Sequence, residues 1–113
     1  MQSMQIVLTR DDQSVPWGFR LKGGAEYNVP LSILKVNPGS PAYTKLNCTD
    51  IVQSIGNYSA LYLKHEEALN IIRLFEYHLP LVIKRYQIFN NYPSKIFILL
   101  LNSIICLKRS SNC

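Results

Sequence analysis

Two histidines, three cysteines and seven carboxylates are the groups this 113-residue chain offers for catalysis or metal binding. His65-Glu66 begins like the zinc pattern H-E-x-x-H, but Leu69 stands where the second histidine is needed. The other histidine, His78, falls beyond that stretch. Cys48, Cys106 and Cys113 form no C-x-x-C pair, so zinc has no obvious site. Gly23-Gly24 fits neither G-x-G-x-x-G nor a Walker loop, and no G-x-S-x-G elbow presents a serine. The expectation is a protein that is not an enzyme and takes no metal or cofactor.

Pro16-Trp17-Gly18-Phe19-Arg20-Leu21-Lys22-Gly23-Gly24 suits a different kind of chemistry. Alone, Trp17 and Phe19 read as core aromatics. The flanking glycines shift that reading toward a ligand site. A glycine between two large aromatics permits close backbone approach. Successive N–H groups at such a turn converge on an anion. Phe19, Arg20, Leu21 and Lys22 then alternate apolar with basic, the pattern of a half-buried strand. His65, Leu69 and Ile72 share one stripe of a helix predicted over residues 63–75. Ala68, Ile71 and Phe75 form a second stripe. A helix wet on one side needs one stripe. Two stripes imply that one faces the core and the other lines something else.

The remaining elements would hold these two in place. Strands are predicted over residues 4–9, 31–36, 51–55 and 79–84, besides the one ending at Lys22. Pro80 puts the last of these at a strand beginning or an edge. Ser40-Pro41-Ala42 has an N-cap residue followed by proline, which predicts a short helix to Leu46.

This order of elements resembles a PDZ domain. The segment from Pro16 to Gly24 is similar to the N-terminal PDZ domain of the actin-associated LIM protein/Enigma family, which includes Z-band proteins. Asn28-Val29-Pro30-Leu31, Pro38-Gly39-Ser40-Pro41-Ala42 and His65-x-Glu67-Ala68 carry the same resemblance. It covers about residues 4–84. Two places depart from it: Thr49 replaces a glycine before the fourth strand, and Gly56-Asn57 reverses the usual Asn-Gly turn. Thr49 is strained if that position needs a positive φ.

The resemblance implies an α+β fold: a small, partly open β-barrel or sandwich of five to six strands with two α-helices. It implies binding of C-terminal Ser/Thr-x-hydrophobic peptides by strand addition. The peptide would pair with the edge at Phe19-Arg20-Leu21-Lys22, its carboxylate in the turn at Trp17-Gly18-Phe19. Trp17, Phe19, Leu21, Leu69 and Ile72 would surround its last side chain. His65 would accept the hydroxyl proton two residues upstream. Arg20 and Lys22 would favour acidic residues in the ligand. The implied role is that of an adaptor or scaffold in the cytoplasm, associated with the cytoskeleton and the muscle Z-disc. Its implied partner is α-actinin. Three scattered cysteines cannot supply the LIM domains of that family.

Composition agrees with one small domain, residues 1–84, and an added segment, residues 85–113. The hydrophobic fraction of 48% and charged fraction of 17% can build a core. The first 84 residues hold eight of the twelve Lys/Arg and all seven Asp/Glu. The net charge of +5 therefore resides mostly in the last segment, and a nucleic-acid face on the body has little support. No secretory signal opens the sequence, which points to a reducing, intracellular setting. Residues 96–107 are nearly all apolar and precede Lys108-Arg109. Twelve residues are too few to span a bilayer, which takes about 20. Four readings stay open for them: an extension of the fold, a membrane-surface segment, a partner-binding strand, or an unselected extension. The loss of acids and of family resemblance favours the last. The alternative function is a membrane-associated protein acting through this segment.

Overall fold

The computed structural model describes residues 2–85. In chain order these form β1 Gln2–Thr9, β2 Phe19–Gly24, a 3-10 turn Ala25–Tyr27, β3 Val29–Val36, β4 Ile51–Ile55, β5 Tyr58–Ser59, α1 His65–Ile72 and β6 His78–Arg85. The sheet is antiparallel in the order β1-β6-β4-β3-β2, with β5 on β4. β2 is therefore an edge. This is the α+β class and strand number read from the sequence. The readings made for residues 96–107 lie outside the described residues.

One expected helix does not form. Residues 41–45 are turns, with the Leu46 N–H returning to the Ala42 carbonyl at 2.9 Å. The next N–H, of Asn47, goes instead to the Asp50 carboxylate at 2.8 Å, which stops propagation after one turn. Among the described residues there is one α-helix rather than two. That helix is also shorter than residues 63–75. Its start is held back because the Leu63 carbonyl accepts from the Ala25 N–H at 2.8 Å. Its end tightens into i→i+3 bonds at Leu74 and Phe75, of 3.0 and 3.2 Å.

The core lies between the sheet and α1. Leu8, Leu31, Ile33, Ile55, Leu79, Leu81 and Ile83 come from the strands, and Ala68 and Ile72 from the helix. Each fully buried aliphatic side chain contributes about 1.5–3 kcal/mol. Pro80 tolerates an inner strand because of where its nitrogen points. Its carbonyl accepts from Gly56 N–H at 2.8 Å, beyond the β4 register that stops at Ile55–Leu81. A strand residue's nitrogen lies on the same side as its carbonyl, so no ladder bond is lost.

Both departures from the resembled pattern have visible geometry. The two-residue β4–β5 turn has positive φ at Gly56, 58°, while Asn57 is not among the positive-φ residues. A hairpin with positive φ at its first central residue is type II′, for which glycine belongs first. Phe75 also packs on Gly56, where an added Cβ would collide with the ring. Thr49 adopts φ +74°. Its N–H holds the Ile33 carbonyl at 2.9 Å, and Ile33 N–H holds Asp50 O at 2.8 Å, so the strain cannot relax away. A β-branched residue in the left-handed region costs about 1–2 kcal/mol. Thr49→Gly should therefore stabilise the fold by about 1 kcal/mol, after glycine's added unfolded-state entropy. A calorimetric midpoint that stays level or falls would show the threonine to be unstrained.

Candidate functional site

The turn before β2 is built by the segment that follows β3. Ala42 N–H donates to the Trp17 carbonyl at 3.1 Å, and Asn37 N–H to the Gly18 carbonyl at 2.7 Å. There are no cis peptides among the described residues, so each following N–H points opposite its carbonyl. The Gly18 and Phe19 N–H groups thus both turn away from residues 37–42. Gly18 N–H donates in none of the hydrogen bonds among the described residues. Two convergent backbone donors make an anion cradle. Gly18 takes φ +91°, and an added Cβ would collide with the Ser40 side chain. The demand for glycine comes from this internal packing, and not only from room for a ligand.

The same bonding fixes which way β2 faces. Phe19 pairs with Val36 and Arg20 with Lys35, and the Asn37–Gly18 bond is the one expected flanking a non-hydrogen-bonded Phe19–Val36 pair. The Phe19 N–H and carbonyl therefore lie on the free edge. Further along, the Gly23 carbonyl meets His65 Nδ1 at 2.9 Å, so this edge looks toward α1. A carbonyl only accepts, so Nδ1 carries the proton. The neutral ring then presents Nε2 as an acceptor.

The side chains singled out from the sequence take three kinds of place. Trp17, Leu21 and Ile72 are buried in the core cluster, while Phe19 and Leu69 are half-buried against it. His65 is half-buried at the head of α1. Arg20 and Lys22 are exposed, and Arg20 lies directly opposite Lys35. The two helix stripes divide differently from the expectation: Ala68 and Ile72 are the buried pair, with Leu69 and Ile71 half-buried on either side.

Arg10 was missed. Its guanidinium lies 4.0 Å from the centroid of the Trp17 ring. It also donates to the carbonyls of Val15, Phe75 and Glu76, at 2.7, 3.3 and 2.6 Å. It thus ties the turn to the chain beyond α1. Cation–π contact and three carbonyls make this more than a surface charge, with stacking alone contributing about 1 kcal/mol. No spacing signals it, since the two carbonyls that anchor it beyond α1 are 65 and 66 residues away. Arg10→Ala should loosen Trp17, lowering stability by about 2 kcal/mol. Tryptophan fluorescence anisotropy during urea unfolding checks this; an unchanged midpoint would leave Arg10 as a bystander.

A separate cleft of about 740 Å³ opens between β3 and the β4–β5 hairpin, lined by residues including Leu31, Val52, Ala60, Tyr62 and Lys84. None of the residues expected to contact the peptide, from Trp17 to Lys22 and His65, Leu69 and Ile72 on α1, lines it. It has neither the Gly18 turn nor the free edge of β2, so it is not the anion-binding groove.

A family model described as the PDZ domain matches residues 5–84. The chain belongs to the PDZ family. PDZ and LIM domain protein 7 of Xenopus laevis is 37% identical over 97 residues, covering 85% of this chain and 22% of that protein. Its human counterpart is 41% identical over 96 residues, covering 84% and 20%. LIM domain-binding protein 3 of Mus musculus is 39% identical over 71 residues, covering 62% and 10%. The chain thus spans about a fifth of the length of the first two relatives. Among solved structures, Dlg1 PDZ2 of the choanoflagellate Monosiga brevicollis superposes with a TM-score of 0.67 at 24% identity. That match covers 75% of this chain and all of the other. The PDZ domain is a protein-interaction module, and this chain carries one. Among the described residues, no helix is long and apolar enough to cross a membrane.

Proposed function

We propose that the groove between β2 and α1 binds the C-terminus of a partner protein by strand addition. The observation that carries this reading is the pair of N–H groups at Gly18 and Phe19, turned away from residues 37–42 at the head of a free sheet edge. A peptide carboxylate suits that cradle, and its backbone would continue the ladder along Phe19 and Leu21. Trp17, Phe19, Leu21, Leu69 and Ile72 would receive the terminal apolar side chain. His65 Nε2 would accept from a Ser or Thr hydroxyl two residues before the end. The module would occupy residues 1–84, with β6 carrying it one residue further, and residues 85–113 would be a separate extension. By family resemblance the partner is a cytoskeletal protein of the α-actinin kind, and the setting is the actin cytoskeleton. The relatives' names mention LIM domains, which supports a place among such adaptors.

The test is a titration of the full chain with a labelled peptide ending Glu-Ser-Asp-Leu and with its C-terminally amidated twin. The free acid should bind at about 1 μM, roughly −8 kcal/mol, and the amide at least tenfold more weakly. Equal binding of both forms would exclude carboxylate capture.

Electrostatics sharpen the ligand preference. Like charges directly opposite on a sheet destabilise it, and Arg20–Lys35 is such a pair. A strand added beside β2 would bring its outward side chains next to Arg20 and Lys22. An acidic residue just before the terminal one would relieve the repulsion. Replacing that aspartate by lysine in the peptide should weaken binding about fivefold at low salt, and less at 0.5 M, because exposed charges are screened. A salt-independent difference would remove Arg20 and Lys35 from the explanation.

A further inference from the structure

We infer that Glu26 is a positioning residue for His65, and through it a determinant of which ligand side chain the groove prefers; the ligand clause rests on the carboxylate reading above. The N-cap of α1 is Lys64, whose side chain has no acceptor to offer the first-turn N–H groups. Carboxylates do that work instead. Glu67 accepts from the Lys64 N–H at 2.9 Å, from within the helix. Glu26 accepts from the His65 N–H at 3.0 Å, from 39 residues away in the 3-10 turn after β2. Ala25 N–H, bound to the Leu63 carbonyl at 2.8 Å, brings that turn alongside. Gly24 makes the approach possible: an added Cβ would collide with Glu26 Oε1 and stand 2.7 Å from the His65 nitrogen.

His65 is thus held twice, through its backbone by Glu26 in the turn after β2 and through its ring by the Gly23 carbonyl at the end of β2. The two holds depend on each other. The ring reaches Gly23 only while the first turn of α1 stays against β2. An eight-residue helix is too short to keep its first turn without such support. With Glu26 gone, the first turn frays and the ring leaves Gly23. The imidazole then reverts to the Nε2–H tautomer that histidine side chains favour in water. Nε2 becomes a donor, and a ligand hydroxyl loses its acceptor. The Gly18 turn sits at the opposite end of β2 and is untouched. Glu26 therefore governs preference for the hydroxyl, while leaving capture of the carboxylate alone.

The experiment uses the full chain as Glu26, Glu26→Ala and Glu26→Gln forms, with amide spectra confirming that each is folded. Imidazole ¹⁵N shifts are recorded without ligand, and affinities are then measured for two peptides ending Ser-Asp-Leu and Ala-Asp-Leu. The parent chain should show a protonated Nδ1 and a bare Nε2. Glu26→Ala should move His65 toward the Nε2–H form and cut the serine-over-alanine preference about fivefold, with the alanine peptide unaffected. Glu26→Gln, whose amide oxygen accepts the same bond, should restore both readouts. An unmoved tautomer in Glu26→Ala, a Glu26→Gln that behaves like Glu26→Ala, or equal weakening of both peptides would overturn the role. If the parent binds neither peptide, the carboxylate reading fails and takes the preference clause with it, while the ligand-free spectra still decide whether Glu26 positions His65.

Discussion

Arg85→Ala should lower the unfolding free energy by about 3 kcal/mol, toward the low end of the cost of breaking a buried ion pair. The Asp50 side chain is 1% exposed and that of Arg85 25%. Arg85 Nε donates to Oδ1 at 2.9 Å and Nη2 to Oδ2 at 2.8 Å, a two-pronged pair. Nη2 also holds the Lys45 carbonyl at 3.0 Å, and Oδ2 accepts from the Asn47 N–H as well. One guanidinium therefore joins the end of β6 to the turn that leads into β4. Truncation would strand a buried carboxylate with a single backbone donor. The partial exposure of Arg85 lets water reach in, which keeps the cost below the upper end of the range. For a domain of this size the melting midpoint should fall on the order of 15 °C. Arg85→Lys should recover less than half, because an ammonium cannot bridge both oxygens and the carbonyl at once. The hydrogen bond to Asp50 raises the Arg85 pKa. A raised basic group stabilises fully below its unfolded pKa and loses its effect only as pH climbs through the folded value. The penalty for Arg85→Ala should therefore be flat near neutrality on the arginine side. Urea midpoints with an unchanged slope give the number, and a loss under 1 kcal/mol would mean that the pair is a surface ornament.

That arginine also marks where the sequence misleads. By charge alone it joins the acid-free stretch after residue 84, and its partner lies 35 residues back. Local signals served well where the cause was local. The alternation of Phe19, Arg20, Leu21 and Lys22 is visible in one dimension, and so is the strand at residues 51–55, with Ile51, Val52 and Ile55, which β4 matches. The boundaries failed where a distant group decided them. α1 begins at His65 because Ala25 and Glu26 hold the residues before and at its start. β2 runs on through Gly23 and Gly24 because Gly24 still pairs with Val29 of β3, across a register shift at Gly23. The helix expected after Ser40-Pro41 has good starting residues, yet Asp50 claims the donor that would continue it.

For the groove, residue types were legible and their support was not. Trp17, Gly18 and Phe19 announce a tight turn through composition. Nothing in that triplet announces that Ala42 and Asn37 take its carbonyls and so aim its N–H groups. His65 was legible as a polar head on an apolar stripe. Its tautomer depends on the Gly23 carbonyl, a backbone atom that no side-chain pattern encodes. Arg10 is held over Trp17 in the same way, by the carbonyls of Val15, Phe75 and Glu76.

Gly18→Ala should nearly abolish binding of free-acid peptides, with a loss of 30-fold or more, and cost about 3 kcal/mol of stability. Two separate penalties meet there. At φ +91° an L-residue sits in a region that costs it about 1–2 kcal/mol. The new Cβ also collides with Ser40 Cβ and Oγ, while Ser40 Cα stays 3.4 Å away. Relief of the collision means moving Ser40, whose hydroxyl donates to Asn37 O at 2.7 Å, or tilting the Trp17–Gly18 and Gly18–Phe19 peptides. The second route rotates the two N–H groups out of their common direction and removes the cradle. The two penalties separate in a double-mutant cycle. Ser40→Gly leaves Gly18 in its conformation but clears the side chain that the Cβ would meet. In that background Gly18→Ala should cost only the conformational part, about 1–2 kcal/mol, and peptide affinity should return to within about fivefold of Ser40→Gly alone. Additive costs would assign the whole effect to φ and acquit Ser40. A Gly18→Ala protein that binds the free acid at parental strength would be the more serious result, because the carboxylate would then have to be held somewhere other than the turn.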